Sequence, residues 1–171
     1  AVPRDLFESE MFGHEKGAFT GAYARKLGLL EQAHGGTLFL DELTSMPPDM
    51  QAKLLRALQD FRFRRVGGAE EIEVDVRLVS ATNKRVSEAI REGSFRHDLF
   101  YRICVMSVEL PPLRDRAVDI PYFVQLFIDE MRGGMGTSVT GVTDDAMWAL
   151  MHYGWPGNVR ELRNAVERGM I

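Results

Sequence analysis

A short apolar run stands between two glycines and two acids: Gly35-Gly36-Thr37-Leu38-Phe39-Leu40-Asp41-Glu42. An unbroken run of this length suits a strand buried on both faces, as in a parallel sheet flanked by helices. Side chains that do chemistry in such sheets stand at the carboxyl ends of the strands. Asp41 and Glu42 occupy that end. From the run alone two readings stay open. The acids are either solvated turn residues after a core strand or carboxylates set over a crevice. The rest of the chain has to decide.

Composition narrows the classes. The 171 residues, 45% hydrophobic and 27% charged, are globular in character and enough for one domain with a small appendage. A net charge of −4, from 21 basic and 25 acidic residues, gives no global pull toward nucleic acid or an anionic membrane. Cys104 is the only cysteine, which excludes an internal disulfide framework and fits a reducing compartment. It lies between Ile103 and Val105 and reads as a buried strand thiol. No apolar run is long enough to span a membrane. The start is neither a secretory signal nor an initiator methionine, and Ala165–Ile171 still reads as helix. The expectation is a piece of a longer, cytoplasmic protein.

In chain order, Pro3 to Met11 reads as a helix closed by Gly13. Gly17-Ala18-Phe19-Thr20-Gly21-Ala22 reads as a loop or hairpin tip. Its flanking glycines leave Phe19 without local packing partners, which favours a contact residue offered to another molecule. Gly28–Ala33 is a brief helix. Asp49–Asp60 is a longer one, with prolines at its start and an apolar stripe of Met50, Leu54, Leu55 and Leu58. Phe61–Glu73 reads as a solvated hairpin whose Arg62, Arg64 and Arg65 are balanced by Glu70, Glu71 and Glu73. Val74–Asn83 is a second strand, and Asn83 either ends it as a turn former or orients a water. Val86–Arg91 is helical, Asp98 caps a further turn, and Ile103–Leu110 is a third strand, broken by Pro111-Pro112. Beyond this the pattern is all helical. One helix runs from Asp119 to about Arg132, then comes a loose Gly133–Gly141 connection. A second helix is capped by Thr143, and a last one starts at a capping box of Asn158 and Glu161.

An acid pair ends one strand and a polar Asn83 ends another. Arg96, Arg102 and Arg160 each stand where a guanidinium could meet phosphate. Phosphoryl transfer asks mainly for positioning and charge neutralisation, Mg²⁺ takes carboxylate oxygen, and a second acid can polarise a water.

The string GAFTGA at 17–22 resembles the signature of the sigma-54-dependent transcription activators, bacterial enhancer-binding proteins of the AAA+ ATPase class. The likeness extends over Phe12-Gly13-His14-Glu15, Gly36–Glu42, Val66-Gly67-Gly68, Ala81-Thr82-Asn83, Phe95-Arg96 with Arg102, and Trp155–Leu162. It implies an α/β AAA+ core with a parallel sheet over 1–115, lacking its first strands, and a partial helical lid over 116–171. Gly36–Glu42 then resembles a Walker B strand, in which Asp41 holds Mg²⁺ and Glu42 activates the hydrolytic water. Asn83 matches sensor I. Arg96 and Arg102 match arginine fingers that reach a neighbouring subunit's ATP, and Arg160 matches sensor II. Gly17, Ala18, Phe19, Thr20, Gly21 and Ala22 match the sigma-54-contacting loop, and Arg65–Val74 a second pore loop. The family works as a hexameric or heptameric ring and reaches DNA through a domain this chain does not hold.

There is one large departure. No Gly-x-x-x-x-Gly-Lys-Ser/Thr occurs in the sequence. The expectation is an ATP-driven activator as parent and a 171-residue chain that by itself hydrolyses ATP poorly or not at all. The alternatives are a sigma-54-binding module without turnover, or another ring ATPase, against which GAFTGA argues.

Overall fold

The structure is a computed structural model and describes residues 4–135 and 138–171. It divides into two compact units, Ala1–Ser107 and Val108–Ile171.

The first unit begins with α1, Arg4–Phe12. The expected start at Pro3 lies outside the described residues. Two short strands follow, β1 (Gly13–His14) and β2 (Lys26–Leu27), antiparallel with Gly13 opposite Leu27. They form the neck of the Gly17–Ala22 loop. At this neck the backbones touch: a Cβ on Gly28 would collide with the main chain of Phe12 and Gly13. Helix α2 (Leu29–Gln32) leads to β3 (Gly36–Leu40), and a 3-10 turn (Leu43–Ser45) leads to α3 (Pro48–Asp60). Pro48 sits in the first turn, where a missing N–H costs nothing. The hairpin β4 (Arg62–Arg64) and β5 (Glu71–Glu73) pairs Arg62 opposite Glu73 and Arg64 opposite Glu71, so its charges cancel as the sequence suggests. Strand β6 (Val76–Ser80) returns parallel to β3, with Leu38 opposite Leu78 and Leu40 opposite Ser80. Helices α4 (Val86–Arg91) and α5 (His97–Ile103) close the unit.

The core gathers Leu30, Leu38, Leu40, Val76 and Leu99 around the α3 stripe of Met50, Leu54, Leu55 and Leu58. Burying each such side chain contributes about 2 kcal/mol.

Two expectations fail here. Strand β3 is not buried on both faces: Leu38 and Leu40 point inward, but Phe39 is 59% exposed. Apolar character along the whole run therefore goes with one packed face and one left largely open among the described residues. Ile103–Leu110 is not a strand. Ile103 ends α5, and Cys104 closes that helix with its N–H on the Phe100 carbonyl at 2.8 Å, so the half-buried thiol is no strand residue. Beyond it Val105 and Met106 are 92% and 84% exposed. Apolar, β-prone residues do not make a strand without a ladder partner, and none pairs with this segment among the described residues.

The second unit holds a 3-10 segment (Leu113–Asp119), α6 (Ile120–Met135), α7 (Asp144–His152) and α8 (Asn158–Gly169). Its own core includes Leu113, Ile120, Val124, Ile128, Trp155 and Leu162. Thr143 caps α7 as expected, accepting from the Ala146 N–H at 3.3 Å. Gly133 and Gly134 belong to α6 rather than to the connection, of which 136–137 lie outside the described residues. The expected capping box of Asn158 and Glu161 does not form: the helix is capped one residue earlier, at Gly157, and the Asn158 N–H donates to the Trp155 carbonyl. Glu161 reaches back to the Gly157 N–H at 2.8 Å, but the Asn158 side-chain oxygen accepts from the Leu113 N–H at 2.9 Å. A tertiary donor has taken the oxygen that would have capped the helix.

Candidate functional site

The parallel register of β3 and β6 decides what meets at their carboxyl ends. Leu40 lies opposite Ser80, so Asp41-Glu42 leaves the sheet beside Ala81-Thr82-Asn83. The pairing continues past the strands: Ala81 N–H donates to Leu40 at 2.9 Å and Leu43 N–H to Ala81 at 3.0 Å. The hydroxyls of Thr44 and Thr82 meet at 2.7 Å. Both acids and Asn83 are exposed. One Asp41 carboxylate oxygen accepts the Glu42 N–H at 2.9 Å. Glu42 itself adopts φ 50 and ψ 42, the left-handed region that a side chain with Cβ rarely takes. Such strain clusters at functional sites.

The two core arginines flank α5. Arg96 is its N-cap and Arg102 lies in its last turn. Arg96 forms a two-pronged pair with Asp98, at 3.0 and 2.6 Å. That contact holds the Asp98 carboxyl below the usual carboxylate range. Arg102 donates to the Leu58 carbonyl at 2.9 and 2.6 Å and to Gln59 at 3.2 Å, capping the end of α3, and stands over the Phe61 ring. Neither arginine bonds to the acid pair. Arg160 is exposed on the first turn of α8, in the other unit.

The 17–22 loop is tight. Gly17 N–H donates to Ala22 at 2.8 Å and Ala22 N–H to Phe19 at 3.0 Å. Thr20 is exposed, whereas Phe19 is half-buried, its ring edge-on to His14 at 5.0 Å. Phe19 thus has a local partner that the flanking glycines concealed. His14 is held in turn by the Ser9 hydroxyl at 2.6 Å. The loop lies against the Arg65–Val74 segment through an isolated bridge between His14 and Val66. Gly67 is required at that approach: a Cβ there would sit 2.7 Å from the Ala18 Cβ.

Sequence reasoning missed the burial of Arg65 and of Gln51. Arg65, 4% exposed, binds Glu15, Glu31 and Glu70 together. Those acids share no spacing that would have announced it. Gln51 is fully buried in the α3 stripe. It did leave a signal, because Leu54, Leu55 and Leu58 follow it at three, four and seven residues, on one helical face.

With this geometry in hand, comparisons with known proteins place the chain. Residues 1–109 match the family described as the Sigma-54 interaction domain, and residues 114–171 match the AAA+ ATPase lid domain. Fold and matches together define an AAA+ domain with its lid. The chain belongs to the sigma-54 interaction domain family. It is 54% identical to the Nif-specific regulatory protein of Herbaspirillum seropedicae, over 98% of this chain and 31% of that protein. It is 52% identical to the DNA-binding transcriptional regulator NtrC of Azospirillum brasilense, over 98% and 35%. It superposes on the crystal structure of Brucella abortus NtrX in complex with ATP with a TM-score of 0.90 at 43% identity, covering 99% of this chain and 38% of that one. NtrX has also been crystallised with ADP. The chain thus spans about a third of the length of the relatives it matches. Among the described residues no helix is long and apolar enough to cross a membrane.

Proposed function

We propose that this chain is the motor region of a bacterial, cytoplasmic transcription activator that spends ATP to remodel sigma-54 RNA polymerase at a closed promoter. The observation that carries the reading is the β3–β6 register, because it puts two carboxylates and Asn83 at one edge. Magnesium suits these donors: Asp41 presents carboxylate oxygen at an exposed strand end, with room for the waters the ion keeps. Magnesium and ATP, when bound, supply the charge-compensated phosphoryl group.

The chain's own residues divide the work. Asp41 holds the metal, Glu42 takes the proton of the attacking water, and Asn83 reads the terminal phosphate. Arg96 and Arg102 reach the nucleotide of the next subunit in a ring of six or seven. For Arg96 this means that the pair with Asp98 opens first. Arg160 belongs to the lid (116–171) and serves its own subunit's nucleotide, the core being 1–115. Phe19 and Thr20 contact sigma-54, with Gly17, Ala18, Gly21 and Ala22 shaping the tip. Arg65 joins the base of that loop, at Glu15, to the second loop, at Glu70.

A second reading is favoured by one sequence fact, the lack of Gly-x-x-x-x-Gly-Lys-Ser/Thr in these 171 residues. Phosphates are normally cradled by the amides and lysine of that motif. On this reading the chain by itself binds sigma-54 without turning over ATP. The test is Thr20→Ala in the full-length protein. ATP turnover stays near wild type while open-complex formation is lost; surviving transcription would overturn the loop assignment.

A further inference from the structure

We infer that Gln51 is a positioning residue that ties the loop after the acid pair to the arginine offered to a neighbouring subunit. The inference rests on the reading of Arg96 given above.

Gln51 is completely buried, and a buried amide is costly unless its donors and acceptor are met. All of its hydrogen bonds go to main chain, and they go to two places. Its Nε2 donates to the Met46 carbonyl at 2.8 Å, on the turn that follows Asp41-Glu42. The same nitrogen donates to the Ser94 carbonyl at 2.8 Å, and its Oε1 accepts the Arg96 N–H at 2.8 Å. One planar group therefore fixes the spacing between the turn beyond the acids and the backbone that carries Arg96. The Arg96 carbonyl is held separately by the Phe100 N–H at 3.2 Å. The main chain of Arg96 is thus pinned on both sides, while its side chain is exposed and, among the described residues, bonded to the exposed carboxylate of Asp98. A shift of the turn at Met46 reaches Arg96 through Gln51 without passing through solvent-exposed side chains.

Apolar packing at this position would fill the volume but take this partner from the Met46 and Ser94 carbonyls and the Arg96 N–H. An amide there is better explained by what it joins. A leucine or methionine fills the volume and joins nothing.

The experiment uses mixed rings of the full-length protein. Gln51→Met keeps the side-chain length and removes all of the bonds. Alone it lowers the turnover number roughly 10- to 100-fold, the scale of a misplaced catalytic group, and leaves the KM for ATP near wild type. Glu42→Ala has an inactive site but an intact arginine. Mixed with Gln51→Met it restores turnover, because the Gln51→Met site is served by the neighbour's arginine. Gln51→Met mixed with Arg96→Ala restores nothing. The control is Arg96→Ala mixed with Glu42→Ala. If the control fails, the action of Arg96 across subunits falls, and this inference falls with it. If the control complements and the Gln51→Met mixture does not, only this inference is overturned, since Gln51 then acts on its own subunit's site. Should Gln51→Met not assemble, amide hydrogen exchange in the unaltered ring decides. The Arg96 amide exchanges slowly, and its protection changes when Mg-ATP binds; exchange as fast as in an open loop, or protection that Mg-ATP leaves unchanged, overturns the proposal.

Discussion

Arg65 grips Glu31 with two parallel hydrogen bonds, Nε to Oε2 at 3.0 Å and Nη2 to Oε1 at 2.6 Å, while its guanidinium is almost sealed from solvent. The bond to Glu31 is the largest reason its pKa is raised, with Glu15 and Glu70 adding to it against the cost of burial. A buried ion pair that loses one partner leaves uncompensated charge, typically the larger penalty. Arg65→Ala is expected to lower unfolding stability by about 3 kcal/mol. Arg65→Lys recovers only part of this, because an ammonium cannot form the two-pronged contact. Urea unfolding of the three proteins checks the order.

Glu42 carries its backbone strain at the point where chemistry is proposed. Asn tolerates the left-handed region better than Glu. Glu42→Asn should therefore keep or raise stability, by up to about 1 kcal/mol, while abolishing ATP turnover in the full-length protein. Melting and turnover measured on the same preparation separate the two effects. A marked loss of stability would mean that the carboxylate supports the fold.

The Asp98 carboxyl ionises at lower pH in the fold than in the open chain, chiefly through its hydrogen bonds with Arg96 and secondarily through the Leu99 N–H. Its contribution to stability is complete above the ordinary carboxylate range, about pH 4, and is lost as the pH falls through the lowered folded value. Carboxyl-detected NMR titration should show this low midpoint, and Arg96→Ala should move it upward. No change near neutral pH is expected from this pair.

The isolated chain 1–171 should show no steady-state turnover of Mg-ATP, since the phosphate-cradling motif is not in it. Turnover that disappears with Glu42→Ala would show that the acid edge works without that motif.

How far the sequence could be read depended on whether a residue's partners lay nearby along the chain. Helix α3 was legible because its apolar stripe and its prolines are local signals. The hairpin charges were legible because Arg62 and Glu73 face each other across one turn. Adjacent acids after an apolar run marked the edge of the candidate site, but only the register with β6 put Asn83 beside them. Long-range pairings were invisible. Arg65 looked like one of three solvated arginines, and nothing local distinguishes it from Arg64, which is exposed. The strand expected at Ile103–Leu110 failed for the converse reason. Its residues suit a strand, yet strand formation depends on a partner elsewhere. The Asn158 cap failed because a distant N–H, that of Leu113, competed for the same oxygen.

The glycine neck at Gly13 and Gly28 has an evolutionary consequence. Two main chains in direct contact leave no space for any side chain, so selection at these positions acts on backbone geometry alone. The residues between them answer to a different test, the fit of their own side chains: His14 to Ser9, Glu15 to Arg65 and Ala18 to Gly67.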